Sequence, residues 1–257
     1  MSATVPDDSA PLAGQDRIPL LGFGTWQLRG SEAIQAVGWA LDAGYRHLDT
    51  ATMYRNEKQV GAALAASGLA RDDVFVTTKC PPRNAGRELE TLHASLADLG
   101  TDYVDLWLIH WPGDVDWRKF VTARDDGLAR HIGVSNFSLS QVDEITDATG
   151  VPPAVNQIEW SPLLFDPAVL DGHRQRGVVL EGYSGLRGGT LRQPEVVRVA
   201  QRHGRTPAQV VVRWHLQHGV VVIPKSARQD RIRSNAAVAD FELSEADMAA
   251  LDALGRA

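Results

Sequence analysis

The chain has 257 residues, with 32 acidic against 26 basic side chains and a formal charge of −6. That balance excludes a nucleic-acid partner, whose footprint would be basic, and no apolar run is long enough to span a bilayer. The single cysteine, Cys80, cannot form an internal disulfide, which fits a reducing, cytoplasmic setting. The opening "MSATVPDDSAPLAGQD" lacks both a basic start and an apolar h-region, so it is not a signal peptide. Residues 1–16 are expected to form a flexible tail, followed by a single domain over 17–257.

From there, short apolar runs alternate with amphipathic stretches. The runs are "LLGFG" (20–24), "YRHLD" (45–49), "VFVTTK" (74–79), "YVDLWLIH" (103–110), "RHIGVSN" (130–136), "AVNQIEW" (154–160), "VVLEGY" (178–183) and "VVVIPK" (220–225). Apolar residues on consecutive positions suit parallel strands buried on both faces. The stretches between them read as helices. The first, "SEAIQAVGWALDAG", opens on Ser31 as an N-cap and ends at Gly44. Five more also close on glycine, two helical stretches follow the seventh run, and "SEADMAALDAL" near the end is capped by Ser244. Eight such units predict an α/β fold, a single-domain (β/α)8 TIM barrel. The rival, a doubly wound open sheet binding a dinucleotide, needs G-x-G-x-x-G after its first strand. "GFGTWQ" has two of the three glycines, and "TWQLRG" reads as loop.

In such a barrel, function gathers where the strands end. The second run ends in Asp49, the third in Lys79 and the fourth in His110. The fifth ends in Ser135–Asn136, the sixth carries Gln157, the seventh ends in Tyr183, the eighth in Lys225, and Thr25 and Trp26 follow the first. Tyr54 stands just beyond Asp49. A phenol titrates near ~10 and is a reluctant acid at neutral pH; a neighbouring ammonium lowers that value. Lys79 is expected in that part, with Asp49 compensating its buried charge and His110 orienting a substrate oxygen. Tyr54 then donates a proton to an oxygen that gains negative charge. No nucleophile with a dedicated base is present, so the chemistry expected is proton delivery to a carbonyl, with electrons from a cofactor.

With these residues in place, the chain resembles the aldo-keto reductases, NAD(P)H-dependent carbonyl reductases built on this barrel. "GYRHLDTATMYRNEKQVG", "DLWLIHWP", "IGVSNF", "VNQIEWSP", "PAQVVVRWHLQ" and "IPKS" follow family signatures in order, over nearly the whole chain. Among bacterial members it is most similar to the 2,5-diketogluconate reductase group. The resemblance implies a catalytic tetrad of Asp49, Tyr54, Lys79 and His110. It implies that Ser135, Asn136 and Gln157 hold a nicotinamide carboxamide and that Tyr183 stacks on the ring. Lys225, Ser226 and Arg231 match the group around an adenosine 2′-phosphate, and Asn235 an adenine contact. Gly24, Thr25, Trp26, Asp49, Ser184 and Leu186 complete the implied cofactor contacts. Two cations and a hydroxyl beside a helix start make a good phosphate site, which favours NADPH over NADH. The implied substrate pocket is Trp26, Tyr54, His110 and Trp111, the substrate a small aldehyde, α-dicarbonyl or keto sugar, and the state a monomer.

The chain departs from the family at Ser234, often Glu, at Gly185, often Pro, and at Cys80, often aromatic. Gly185 is expected to loosen the loop over the pyrophosphate. The loop after "HWP" is short, and the chain stops soon after its last helix. Both are expected to leave a shallow, open site that accepts varied small carbonyls. Asp49 and Lys79 alone would also suit a structural ion pair, and Trp26 and Trp111 packing as well as substrate contact. Trp39, Trp117 and Trp214 read as core, and Cys80 as inert. No metal site is expected: His215 and His218 lack the Glu of the zincin pattern. "GYSGL" fails the G-x-S-x-G elbow at Leu186, and "GLRGG" lacks the G-K-[ST] of a Walker loop. Two other functions fit less of the chain: a lyase using Lys79 as a Schiff-base nucleophile, and a nucleotide-binding sensor or regulatory barrel without useful turnover.

Overall fold

The computed structural model describes residues 5, 6 and 8–256. The stretch expected as a tail lies partly outside the described residues, at 1–4 and 7. Its later part pairs as strand β1 (Ser9–Pro11), antiparallel to β2 (Arg17–Pro19). The hairpin is held by apolar side chains: Leu12, Ile18 and Leu20 are all buried. It lies at the N-terminal end of the barrel, where Asp16 Oδ2 is 3.0 Å from His131 Nε2.

All eight apolar runs become strands of one parallel sheet. They are β3 (Phe23–Gly24), β4 (His47–Asp49), β5 (Phe75–Cys80), β6 (Val104–Ile109), β7 (Ala129–Ser135), β8 (Val155–Glu159), β9 (Val179–Tyr183) and β10 (Val221–Val222), each bonded to the next in chain order. The circle closes where Leu21 bridges Val222. There the Gly22 N–H donates to Val222 O at 2.9 Å, and the Val222 N–H donates to Leu20 O at 2.8 Å. Closure needs glycine at Gly24, because a Cβ there would lie 2.7 Å from Ile223 O. The fold is a single-domain (β/α)8 barrel.

Ten helices surround it among the described residues: α1 (Gly30–Asp42), α2 (Glu57–Ala66), α3 (Glu88–Leu99), α4 (Trp117–Asp125), α5 (Leu139–Thr149), α6 (Pro167–Gln175), α7 (Pro194–His203), α8 (Pro207–Gln217), α9 (Gln229–Ala236) and α10 (Glu245–Asp252). On α1 the buried residues Ala33, Ala36, Val37, Ala40 and Leu41 form one stripe at helical spacing, which seats it on the sheet. Ser138, Thr206 and Ser244 cap α5, α8 and α10 by accepting from the third backbone N–H of each helix. Ser31 does not cap α1. The helix begins at Gly30, two residues earlier than a Ser31 cap would place it, and its N-cap is Arg29, which makes no side-chain cap bond. No helix among the described residues is long and apolar enough to cross a membrane.

Two buried imidazoles make stability depend on pH. Burial drives His47, inside the barrel, down to about 3, and His215, on α8, down to about 4. An unfolded imidazole takes its proton near ~6.5, so below that pH the unfolded chain binds more protons than the folded one. This contribution is therefore complete above about pH 6.5 and is lost as pH falls toward the folded values. The urea midpoint is expected to fall steadily from about pH 6.5 to about pH 4, and to fall less in His47→Gln. An equal pH slope in that variant would show that His47 does not carry the effect.

Candidate active site

Parallel register lifts the strand ends to a common level at the C-terminal mouth. Gly24 pairs with Asp49, Asp49 with Thr77, Lys79 with Leu108, and Ser135 with Gln157. Side chains alternate across each strand, so those at Asp49, Lys79 and Gln157 share the barrel interior. Lys79 Nζ donates to Asp49 Oδ1 at 2.7 Å and Oδ2 at 2.6 Å, and to Thr50 O at 2.9 Å. Gln157 Nε2 donates to Asp49 Oδ2 at 2.8 Å. Lys79 and Asp49 are buried, at 0% and 1% exposure. Burial, the largest single influence, lowers the Lys79 ammonium, but Asp49, Tyr54 and Glu181 together outweigh it and hold Lys79 above its usual value.

Tyr54 is carried by a single 3-10 turn, Thr52–Tyr54. The turn is pinned at both sides. Thr52 Oγ1 donates to Lys79 O at 2.8 Å. Beyond it, Asn56 Nδ2 donates to Thr25 O at 2.8 Å and Leu28 O at 3.2 Å, while Asn56 Oδ1 accepts from Thr50 Oγ1 at 2.8 Å. Lys79 Nζ thereby lies 5.1 Å from the centre of the Tyr54 ring. The His110 ring meets Tyr54 edge to face at 5.7 Å. Asp49, Tyr54, Lys79 and His110 thus come together at one end of the mouth.

The acidity of Tyr54 differs from expectation. Burial raises the phenol, and Lys79 lowers it, while Asp49 and Glu181 raise it further; the net direction is upward. The ammonium acts with the expected sign, but its hydrogen bonds go to Asp49 and Thr50, and desolvation wins. Tyr54 therefore keeps its proton at neutral pH. His110 is also neutral: burial, then the Lys79 and Arg83 charges, drive it down to about 3. Its Nδ1 is buried and has no partner among the described residues.

A cleft of about 990 Å³ runs from this group along the mouth. Its wall continues as a chain of hydrogen bonds. Tyr183 Oη donates to Asn136 Oδ1 at 2.7 Å, Asn136 Nδ2 to Ser135 Oγ at 3.0 Å, and Ser135 Oγ to Gln157 O at 2.8 Å. Asn136 and Ser184, at strand ends lining the cleft, hold left-handed backbone at φ +63° and +58°, uncommon for non-glycine residues and shared among the described residues with Gln27 and Arg55. At the far end are Lys225 and Ser226, on the segment before α9, with Arg231, Ser234 and Asn235 along that helix. Ser226 Oγ accepts from the Arg228 N–H at 3.0 Å. Arg228 is paired with Asp230 at 2.6 Å, whereas Lys225 and Arg231 have no carboxylate partner among the described residues.

Of the sequence-predicted residues, Gly24, Trp26, Asp49, Tyr54, His110, Trp111, Ser135, Asn136, Gln157, Tyr183, Ser184, Leu186, Lys225, Ser226, Arg231 and Asn235 all line the cleft. Two do not. Lys79 lies beneath Asp49, and Thr25 is fully buried, with its Oγ1 donating to Asp49 O at 2.9 Å. Trp26, Met53 and Trp111 are 43%, 40% and 46% exposed and frame the opening, next to the short loop between β6 and α4. Trp117 and Trp214 are buried as expected, and Trp39 is partly buried against the core. Gly185 has a packing reason to be glycine: a Cβ there would lie 2.9 Å from His215 Cε1. Cys80 is buried, and burial pushes its thiol up to about 12.

Sequence reasoning missed Asn56, Glu181 and Arg187. Arg187 carries its guanidinium 4.7 Å over the Trp26 ring, joining loops after β9 and β3. Glu181 did leave a signal, as an acid in the middle of the apolar run "VVLEGY".

Comparison with known proteins places these residues in a family context. A model of the Aldo/keto reductase family matches residues 20–256. An aldo-keto reductase from Mycolicibacterium smegmatis is 45% identical over 246 residues, covering 92% of this chain and 90% of the relative. The methylglyoxal reductase DkgA of Yersinia pestis is 42% identical, covering 92% and 89%. The crystal structure of an aldo/keto reductase from Brucella melitensis superposes with a TM-score of 0.93 at 41% identity, covering 98% of this chain and 100% of the other.

Proposed function

The chain belongs to the aldo/keto reductase family, oxidoreductases that act on small carbonyl compounds, and from that premise we propose an NADPH-dependent reductase of aldehydes and ketones. The observation that carries the reading is that one cleft joins two ends of matching chemistry. At one end Tyr54, Lys79, Asp49 and His110 meet; at the other lie two cations that no carboxylate neutralises among the described residues.

The residues fit such a cofactor. Lys225, Arg231 and the Ser226 hydroxyl suit a phosphate monoester, and Asn235 an adenine edge. Ser135, Asn136 and Gln157 suit a carboxamide, and the half-buried Tyr183 ring a flat aromatic face. When bound, NADPH supplies a hydride. His110, as a neutral imidazole, donates a hydrogen bond to the substrate oxygen and orients its carbonyl. Tyr54 Oη releases its proton to that oxygen as the carbon is reduced, which gives the alcohol and leaves a phenolate. Lys79 stabilises the phenolate through space, and Asp49, steadied by Gln157, keeps the ammonium charged and fixed. Solvent returns the proton to Tyr54. Trp26, Met53 and Trp111 shield one side of the opening and leave room for small substrates of varied shape.

The lyase reading loses support from the same geometry. A Schiff-base lysine must be reachable and neutral, whereas Lys79 is fully buried and held charged. The sensor reading is tested by turnover. NADPH depletion across small aldehydes, α-dicarbonyls and keto sugars, with NADH alongside, is expected to show reduction of α-dicarbonyls; an inert panel would favour the sensor. Methylglyoxal reductase among the relatives supports that substrate choice. Arg231→Ala is expected to weaken NADPH about 10- to 100-fold by fluorescence titration and to leave NADH nearly unchanged. Equal losses would put the 2′-phosphate elsewhere.

A further inference from the structure

Glu181 lies in the middle of β9 with its side chain fully buried. Neither carboxyl oxygen has a hydrogen-bond partner among the described residues. In register it stands opposite Gln157 on one side and Val221 on the other. Gln157 is the residue whose amide donates to Asp49 Oδ2 at 2.8 Å. A second carboxyl thus sits two strand positions before Tyr183, inside the barrel, beside the Asp49–Lys79 pair and with no bond of its own. An unpaired buried carboxyl is costly, and a glutamine would fill the same volume without an ionisable group.

We propose that Glu181 is a positioning residue whose own proton sets the acidity of Tyr54. Neutral, it leaves Asp49 as the one carboxylate answering the Lys79 ammonium. Ionised, it adds a second carboxylate to the field of that ammonium, and Tyr54 becomes a weaker acid. This rests on the reading of Tyr54 as the proton donor.

The groups around Glu181 leave it as the one that titrates near neutrality. The barrel interior presents His47 and Asp49 from β4, Lys79 from β5, His110 from the end of β6 and Tyr183 from β9, with Tyr54 above. β7 presents His131, which is bonded to Asp16 at the opposite end of the barrel. Beside Glu181, β8 and β10 present Gln157 and Val221, which do not titrate; two positions further along β8, Glu159 stands opposite Tyr183 at the cleft. His47 and His110 are each driven down to about 3 by burial and stay neutral. Tyr54, Tyr183 and Lys79 are all moved upward. Burial, then the Asp49 charge, push Glu181 up to about 8 against the pull of Lys79 and of the facing Gln157 amide, which lies near the carboxyl without closing a hydrogen bond to it. As pH rises through that value its anion forms and acts upward on Tyr54.

The test uses wild type, Glu181→Gln and Glu181→Asp. In cofactor-free protein, infrared difference spectra are expected to show a protonated-carboxyl band that disappears as pH rises through about 8 and that Glu181→Gln lacks. By ultraviolet difference against Tyr54→Phe, the Tyr54 midpoint is expected to drop by about one unit in Glu181→Gln. In turnover, wild-type kcat for reduction is expected to fall about tenfold across the Glu181 titration. Glu181→Gln is expected to lose that fall and Glu181→Asp to restore it. A Tyr54 midpoint unmoved by Glu181→Gln, or a fall in kcat that survives in it, would overturn the proposal. The spectroscopic arms need neither cofactor nor turnover, so a protein inert toward every carbonyl would sink the reductase reading while Glu181 and Tyr54 were still judged separately.

Discussion

Tyr54→Phe is expected to lower kcat/KM for carbonyl reduction by about 10³-fold or more, with NADPH binding held within about twofold. The substitution removes one oxygen and keeps the ring, so the edge-to-face contact with His110 at 5.7 Å and the packing over Lys79 at 5.1 Å persist. What disappears is the proton that the substrate oxygen needs. Burial holds the Tyr54 phenol above its ordinary range, so the acid is fully loaded at neutral pH. Its difficulty lies in release, which the Lys79 ammonium eases by opposing the burial effect. Neither imidazole near the site can replace the proton. His110 and His47 are neutral and driven down to about 3, far too low to be reloaded between turnovers at neutral pH. Steady-state kinetics with an α-dicarbonyl, beside fluorescence titration of NADPH, measure the two quantities separately. Retained turnover in the variant would remove Tyr54 as the acid.

The strand ends were legible because a parallel barrel imposes a strong rule on sequence. Strands buried on both faces must be apolar, so a polar residue at the end of such a run marks the mouth. Asp49, Lys79, His110 and Gln157 each stand out in that way, and register brings them to one place. The helix boundaries were legible where a side chain terminates the helix, as at Ser138, Thr206 and Ser244. Ser31 failed as a cap because the helix starts two residues earlier, with Arg29 at its N-cap and Gly30, at φ +48°, as its first residue. The direction of the Thr25 side chain was not legible: it is set by the Asp49 carbonyl it bonds, a contact between strands that leaves no trace in local pattern. The upward shift of Tyr54 was hidden for a similar reason. Lys79 was visible as a partner, but how much water the barrel removes from the phenol depends on packing by all its neighbours.

The second large effect separates the two meanings of the Asp49–Lys79 pair. Lys79→Met removes the ammonium and leaves the Asp49 carboxylate buried, with Gln157 as its remaining side-chain donor. Breaking a buried pair from one side costs about 3–5 kcal/mol, or a melting point lower by roughly 10 °C in a chain of this size. Adding Asp49→Asn removes the stranded charge. The double variant is expected to recover most of that loss, because two neutral side chains of suitable volume can replace a buried ion pair at little net cost. Activity is expected to behave differently. The double variant has lost the ammonium at the Tyr54 ring, so the phenolate left by proton release is unsupported, and reduction is expected to stay at least about 10²-fold below wild type. Calorimetric melting and kcat measured on the same four proteins complete the cycle. Recovery of stability without recovery of turnover would mean that the pair is kept for its chemistry. Recovery of both would reduce Asp49 and Lys79 to a structural bridge and leave Tyr54 to act without them.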